Sequence, residues 1–218
     1  MLTRLRPLMD QGLDLGFCAR TGQVDIRLCG HGDAVSGLID EAEALIRGEF
    51  GKYIYGTEGE SIAKVVVEQL IENGETIAVA ESCTGGFLGH HITGIPGASA
   101  VFLGGVLSYS NELKQKLLGV RGETLEQHGA VSKAVAMEMA EGARAATGAD
   151  HALSVTGIAG PGGGSTEKPV GTVWLGLASA GERPLAVKKH HPYNRETFKQ
   201  ASVNQSLELL RRRIQRDC

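Results

Sequence analysis

Two short apolar runs, each followed by a glycine-rich loop, limit what this chain can fold into. The runs Thr76–Ala80 and Ala152–Val155 contain no charged residue, which is typical of strands buried on both faces of a sheet. The first leads into ESCTGG and the second into TGIAGPGGGSTEKP. In layered α/β folds, ligands bind beyond the carboxyl ends of such strands. The sequence therefore predicts an α/β domain whose functional loops follow these two strands.

Helical and extended segments alternate along the rest of residues 60–218. The spacing of apolar residues predicts helices at Ser61–Ile71, from the Thr84–Gly86 turn to Gly94, at Asn111–Leu118, at Ser132–Ala146 and at Asn194–Arg213. Further strands are predicted at residues 101–109, 170–178 and 185–189. This order predicts a three-layer α/β/α domain with a mixed sheet.

The first fifty residues follow a different pattern, in which apolar and charged residues alternate between positions 13 and 28. The pattern predicts two strands around the turn Arg20–Gly22, then a helix over Ala34–Arg47 with Asp33 as its N-cap. Such a β-β-α piece is too small to bury much apolar surface by itself. We therefore expect residues 1–50 to form a small domain, residues 51–59 a connector and residues 60–218 the main domain.

Composition argues against several classes of protein. The chain has 218 residues and a net charge of −3, which is unlike a nucleic-acid-binding arm or a polybasic membrane patch. No apolar run approaches the roughly 20 residues of a membrane-spanning helix, and the start, MLTRLRPLMDQG, lacks the apolar segment of a signal peptide. The four cysteines show no CxxC spacing. We expect a cytoplasmic protein with no zinc site, nucleic-acid partner or membrane contact.

The first glycine loop, Glu81–Gly86, places two hydroxyls and a thiol at a strand end. A hydroxyl at a strand-to-helix turn can be held open beside the first helical N–H groups, which can bind a phosphate or an oxyanion. The alternative is that Ser82 or Thr84 merely caps the helix. Cys83 is a second candidate nucleophile because helix N-termini lower the pKa of a thiol, although such cysteines are commonly just buried.

The segment SYSNELK, residues 108–114, carries a lysine in an unusual position. If Asn111 caps the following helix, Lys114 is its third residue, where the helix dipole disfavours a cation by roughly 0.3–1 kcal/mol. The same field, together with burial, would lower the pKa of the lysine and help to make it a neutral general base. The alternative is a solvated lysine paired with Glu112 or Glu123.

Four weaker signals accompany these motifs. The loop Thr156–Gly164 lacks the ending of a P-loop, yet it can form a backbone nest for an anion, unless it is only a surface loop. Ser99 precedes a predicted strand, a position that usually has no chemical role. The adjacent pairs His90–His91 and His190–His191 point apart and have no carboxylate at a suitable spacing, so we expect no metal site. Arg195 begins the last helix and could bind an anion or lie on the surface.

The order of the motifs is far more specific than any one of them. AESCTGG is followed by PGASAVFLGGVLSYSNELKQKLLGV, GAVS, SVTGIAGPGGG and KPVGTVWLGLA. Together they closely resemble the C-terminal domain of the competence/damage-inducible CinA proteins, which also occurs alone as the PncC-type nicotinamide-nucleotide amidohydrolase. The resemblance covers residues 59–212, and the stretch before it resembles the end of the small KH-like middle domain of CinA. The pyrophosphatase activity linked with the large N-terminal domain of CinA is not expected here.

The resemblance implies hydrolysis of the carboxamide of nicotinamide mononucleotide, giving nicotinic acid mononucleotide and ammonia without a metal or an organic cofactor. It also implies a serine–lysine site made of Ser82, Ser99, Tyr109 and Lys114. Ser99 is favoured as the nucleophile with Lys114 as the base, which leaves Ser82 for substrate or oxyanion contacts. The reverse assignment of the two serines stays open.

The remaining expectations concern the substrate and the assembly. The residues expected to bind the nucleotide are Thr84, Gly85, Gly86, Thr156, Gly157, Gly160 and Arg195. A homodimer is expected because the small N-terminal piece needs a partner surface for its apolar face. Two alternatives to this function are a nucleotide-binding or regulatory module without turnover, and an amidase that uses Cys83.

Overall fold

The chain consists of two compact units, Met1–Glu60 and Ser61–Cys218. The computed structural model describes residues 2–32 and 35–215. The predicted N-cap Asp33 therefore lies outside the described residues.

The first unit is an antiparallel hairpin with a helix before it and a helix after it. Its elements are α1 (Leu2–Met9), β1 (Leu13–Arg20), β2 (Gln23–Gly30), α2 (Val35–Phe50) and a short 3-10 helix at Gly51–Tyr53. The predicted hairpin is confirmed, since Arg20 pairs with Gln23 at its closed end. Helix α1 was not predicted, and its Leu5 and Leu8 pack with Ala42 and Ile46 in a buried cluster. This unit therefore buries a core of its own, while Phe17 and Val24 of its hairpin are exposed.

Between residues 61 and 215 the second unit has five strands, six α-helices and one short 3-10 helix. These are α3 (Ile62–Asn73), β3 (Ile77–Glu81), α4 (Phe87–Thr93), the 3-10 helix Ala98–Ala100, β4 (Phe102–Leu107), α5 (Asn111–Leu118), α6 (Gly122–His128), α7 (Lys133–Thr147), β5 (His151–Gly157), β6 (Thr172–Ser179), β7 (Leu185–His190) and α8 (Arg195–Ile214). Helix α6 was not predicted. Among the described residues, no helix is both long and apolar enough to cross a membrane.

The five strands of this unit form one mixed sheet in the order β4-β3-β5-β6-β7. β3 runs parallel to β4 and β5, whereas β6 is antiparallel to β5 and β7. Helix α7 covers one face and α8 the other: on β5, Ser154 bonds to Ala136 of α7, whereas Gly157 lies against Phe198 of α8. The predicted layered α/β fold with a mixed sheet is confirmed.

The parallel strands bring three connections to one edge of the sheet. Glu81 of β3 lies level with Leu107 of β4 and with Val155 of β5. The turn after β3, the β4–α5 connection and the glycine loop after β5 therefore begin side by side. Helix α5 is held close to α7 because position 142 is a glycine, where a Cβ atom would overlap the carbonyl oxygen of Leu118.

Candidate active site

The turn after β3 is organised by the buried carboxylate of Glu81. Its Oε2 accepts hydrogen bonds from the amides of Gly86 and Leu88, both at 3.0 Å, and its Oε1 accepts one from Gly89 at 2.8 Å. The N-cap residue of α4 is Gly86, in a left-handed conformation with φ 96° that favours glycine. The Glu81 carboxylate thus accepts hydrogen bonds from three amides at the start of this helix.

This arrangement corrects two expectations about the turn. Neither Ser82 nor Thr84 is the N-cap residue of α4, because that helix begins at Phe87 and its N-cap residue is Gly86, which has no side chain to form a cap. The amides of Gly86, Leu88 and Gly89 are already paired with Glu81, so they are not open donors for a phosphate or an oxyanion. The amides of Gly85 and Phe87 are paired with carbonyl oxygens of the turn, which leaves the amides of Cys83 and Thr84, directly after Ser82, as candidate donors.

Lys114 reaches this turn from α5. The N-cap of α5 is Ser110, whose Oγ accepts from Leu113 N at 3.2 Å, so the predicted cap Asn111 is wrong by one residue. Lys114 is only 1% exposed. Its Nζ lies 2.7 Å from Ser108 O, 3.0 Å from Ser82 Oγ and 3.3 Å from Tyr109 O. The alternative of a solvated lysine paired with Glu112 or Glu123 is therefore wrong.

A neutral Lys114 amine can make all three of these contacts. Burial lowers the pKa of Lys114 below its usual 10.5, because the charged form loses its hydration. A neutral amine has two N–H groups and one lone pair. With the N–H groups on the carbonyl oxygens of Ser108 and Tyr109, the lone pair can accept the hydroxyl proton of Ser82.

Cys83 lies beside this pair but differs from it electrostatically. The thiol is buried, and burial raises its pKa to about 12. A hydrogen bond from its own backbone amide, the Arg195 guanidinium and any charge on Lys114 act in the opposite direction and only reduce this effect. Cys83 is therefore a neutral thiol at physiological pH, which is unfavourable for a nucleophile.

Ser99 lies at the opposite edge of the sheet. It belongs to the 3-10 helix before β4, where its side chain is exposed, whereas Lys114 follows β4. At ~3.3 Å per residue, the six residues of β4 span about 20 Å. Ser99 borders a shallow surface groove with Thr93 and Phe102. The structure therefore brings Ser82 to Lys114 and leaves the favoured nucleophile, Ser99, far from the base.

The glycine loop after β5 closes another side of the same edge. The side chain of Thr156 is buried, and its Oγ1 donates to Ala130 O at 2.9 Å, so this hydroxyl holds β5 to the segment before α7. Gly157 is tightly packed, because a Cβ there would lie 2.8 Å from Thr172 O. Gly160 has a φ of 74° that favours glycine. These residues determine the conformation of the loop, and the hydroxyl proton of Thr156 is used in its hydrogen bond to Ala130 O.

Arg195 joins this loop to the β4–α5 connection. Its Nη1 donates to Gly160 O and its Nη2 to Tyr109 Oη, both at 3.1 Å. The Tyr109 side chain is 63% exposed, so the guanidinium and the phenol lie at the rim of the site. Arg195 is an exposed cation at this edge and can contact an anion from solvent. It therefore lies on the surface as one prediction had it, and whether it binds an anion stays a prediction.

Sequence reasoning gave no role to two buried groups of the site. One is the Glu81 carboxylate, for which the only signal was its place at the end of a buried strand. The other is Ser108, whose carbonyl accepts from Lys114. Thr84 Oγ1 and Ser108 Oγ are buried and form no hydrogen bond with any residue that the structure describes. Within the same residues, no three His, Cys, Asp or Glu side chains are grouped to hold a metal ion.

Comparison with known proteins identifies the family. A family model described as the CinA C-terminal domain matches residues 59–214. A CinA-like protein of Parasynechococcus marenigrum is 46% identical over 200 residues, which cover 90% of this chain and 48% of that protein. A CinA-like protein of an Anaeromyxobacter species is 42% identical over 211 residues, or 95% of this chain and 51% of that protein. The chain thus spans about half the length of the curated relatives it matches.

Solved structures show the same relationship for the second unit. The competence/damage inducible protein CihA of Agrobacterium tumefaciens is 38% identical, with a TM-score of 0.65 over 71% of this chain and 97% of that chain. A CinA superfamily protein of Klebsiella pneumoniae is 33% identical, with a TM-score of 0.69 over 71% of this chain and 96% of that chain. Given these matches and the geometry of the strand ends, the chain belongs to the family of the CinA C-terminal domain.

Proposed function

We propose that this chain hydrolyses the carboxamide of nicotinamide mononucleotide to nicotinic acid mononucleotide and ammonia, with Ser82 as the nucleophile and Lys114 as the base. The observation that supports the chemistry is the buried Lys114 amine 3.0 Å from Ser82 Oγ. A serine beside a neutral lysine is a known type of activated nucleophile. The choice of substrate rests on the resemblance to the PncC-type amidohydrolases.

In the first half of the reaction, Ser82 is acylated. Lys114 takes the hydroxyl proton while Ser82 Oγ forms a bond to the carboxamide carbon, and the carbonyl electrons move to oxygen. When the C–N bond breaks, its electron pair stays on nitrogen, Lys114 returns the proton to that nitrogen and ammonia leaves. The amides of Cys83 and Thr84, which follow the nucleophile, are the candidate donors to the oxyanion.

In the second half, water releases the acid. Lys114 takes a proton from the attacking water, and the resulting tetrahedral intermediate expels Ser82 Oγ. Lys114 then gives its proton to Oγ, which restores the resting serine. The reaction needs no oxidant, metal or organic cofactor.

The phosphate of the nucleotide is expected to bind Arg195, whose guanidinium lies at the rim between Tyr109 and Gly160. An arginine can form two parallel hydrogen bonds to a phosphate. Tyr109, the turn Thr84–Gly86 and the loop that begins with Thr156 and Gly157 complete the proposed substrate site. The proposed partner is thus a small-molecule nucleotide.

The direct test is release of ammonia from nicotinamide mononucleotide by the purified chain. Ser82→Ala and Lys114→Ala should each abolish it, whereas Ser99→Ala should retain it. If Ser99→Ala is the inactive serine variant, the assignment of the nucleophile is wrong. If the folded protein binds the mononucleotide in a calorimeter but releases no ammonia, it is a binding or regulatory module and the proposed activity is refuted.

Three further proposals accompany this function. We propose that residues 1–50 correspond to the end of the KH-like middle domain of CinA. This proposal rests on the sequence resemblance of that stretch. A homodimer is also proposed, because the hairpin of the first unit leaves Phe17 and Val24 exposed, and so is a cytoplasmic location, because the four cysteines show no CxxC spacing. Light scattering of the purified chain tests the homodimer, and fractionation of the cells that produce the protein tests the cytoplasmic location.

A further inference from the structure

Ser108 contacts the amine of Lys114 through its carbonyl oxygen and also has a buried hydroxyl that is unpaired among the described residues. Its carbonyl oxygen lies 2.7 Å from Lys114 Nζ, and its amide donates to Glu81 O at 2.8 Å. These two bonds fix the backbone of Ser108 next to the proposed base. The side chain is 0% exposed, and its Oγ has no hydrogen-bond partner among the residues that the structure describes. A buried hydroxyl without a partner destabilises the folded state, so its presence at this position needs an explanation.

The partners of the Lys114 amine change during the proposed reaction. In the resting site, the amine contacts two carbonyl oxygens and Ser82 Oγ. Once Ser82 is acylated, Oγ is an ester oxygen, which has no proton to donate and accepts hydrogen bonds weakly. Lys114 then lacks one partner at the stage at which it takes a proton from water. The missing partner must be a polar atom close to the amine that is unoccupied in the resting site.

We propose that the Ser108 hydroxyl is this partner, a positioning residue that accepts a hydrogen bond from protonated Lys114 while Ser82 is acylated. This inference rests on the proposed function. A rotation about the Cα–Cβ bond of Ser108 redirects its oxygen, and a hydroxyl can accept as well as donate. Ser108 neither gains nor loses a proton: the proton still moves from water to Lys114 and then to Ser82 Oγ.

The other titratable groups around the turn do not supply this bond. The Glu81 carboxylate is occupied by three amides of α4. Cys83 is held neutral by burial, and Arg195 is itself a cation that bonds to Tyr109.

Two buried hydroxyls at this site have no partner among the described residues, those of Ser108 and Thr84. Of these two residues, Ser108 is the one whose backbone contacts Lys114, so the contact after acylation is assigned to it. An interaction made only during the reaction accelerates it without tightening the binding of substrate.

The test compares Ser108→Ala and Ser108→Thr with Ser154→Ala. Ser154 is equally buried on β5, but its Oγ donates to Ala136 O. Ser154→Ala should therefore lower the melting temperature and leave kcat unchanged. Ser108→Ala should keep or raise the melting temperature and lower kcat about tenfold or more, which is the effect of losing one hydrogen bond to a charged group. Ser108→Thr, which keeps the hydroxyl, should restore most of kcat.

Two kinetic readouts separate this role from a structural one. Ammonia leaves during acylation, so slower deacylation in Ser108→Ala should leave kcat/KM within about twofold of the unaltered protein and produce a burst of one ammonia per site. Loss of the bond should also move the acidic limb of kcat to lower pH, because protonated Lys114 is then less stable in the acyl-enzyme, while the limb of kcat/KM stays in place.

The contrary results are equally specific. The inference is overturned by a Ser108→Ala enzyme with kcat within twofold of the unaltered protein, by an equal fall in kcat and kcat/KM, or by a loss that Ser108→Thr does not restore. A folded, unaltered protein that releases no ammonia from nicotinamide mononucleotide contradicts the proposed function instead. The two failures are therefore distinguishable.

Discussion

Replacing Glu81 should destabilise the second unit severely, because one buried carboxylate pairs three backbone amides. Glu81→Ala leaves the amides of Gly86, Leu88 and Gly89 without their acceptor. An unpaired buried donor costs about 1–3 kcal/mol, and water entering the vacated space reduces that cost. The expected loss is about 3–6 kcal/mol, which is a large part of the roughly 5–15 kcal/mol that stabilises a typical domain.

Glu81→Gln offers a graded form of the same perturbation. Its side chain has the same shape, but only one of its two terminal atoms can accept a hydrogen bond. Of the two orientations, the better one keeps oxygen on the amides of Gly86 and Leu88 and loses only the bond from Gly89. The expected loss is about 1–3 kcal/mol for that bond, plus up to about 1 kcal/mol for the charge at the helix N-terminus.

Urea unfolding followed by tryptophan fluorescence is the appropriate assay. Trp174 is the only tryptophan of the chain and belongs to β6, so the signal reports on the second unit. Glu126→Ala, which removes an exposed glutamate of α6, is the matched control and should change the free energy of unfolding by less than about 0.5 kcal/mol. If Glu81→Ala unfolds within about 1 kcal/mol of the unaltered protein, the structural role given to Glu81 is refuted.

Three further predictions concern the chemistry. Lys114→Met should lower kcat about 10²–10⁴-fold. In the unaltered protein, kcat/KM should rise with pH through a pKa below 10.5, because burial lowers the pKa of Lys114 and only the neutral amine accepts a proton. An acidic limb at 10.5 or above would contradict this. Cys83→Ala should stay active, and iodoacetamide should not inactivate the protein at pH 8, because burial raises the thiol pKa to about 12. Arg195→Met should raise KM for the mononucleotide about tenfold and leave turnover of the phosphate-free riboside unchanged; equal effects on both substrates would exclude a phosphate contact.

The layered fold could be predicted because its signals are local. Apolar runs of strand length and helices with 3.6-residue spacing can be recognised along the chain, and the order of the motifs adds the family. The relative position of the two serines could not be predicted in this way. The sequence predicts that Ser82 follows one strand and that Ser99 precedes another, but it does not show how the two strands pair. Only the parallel pairing of β3 with β4 shows that the two serines lie at opposite edges of the sheet.

The pairing of buried polar groups was also beyond the sequence. Hydroxyl residues are the usual helix caps, so a cap by Glu81 from the end of the preceding strand was not expected. The site of Lys114 was predicted as an unusual position, but its partners depend on the direction of the β4–α5 connection. Helix α1, with Pro7 inside it, gave too weak a pattern to predict.

The negative charge of Glu81 at the start of α4 also affects how an anionic ligand can be oriented. Helix N-termini commonly attract phosphates, but here a phosphate approaching α4 meets a negative charge where free donors would otherwise lie. Arg195 offers the opposite charge between Tyr109 and Gly160. For the proposed nucleotide, repulsion at one end and attraction at the other would distinguish its two ends before any contact with its base is made. The orientation of such a ligand is therefore determined by where the site excludes charge as much as by where it binds it.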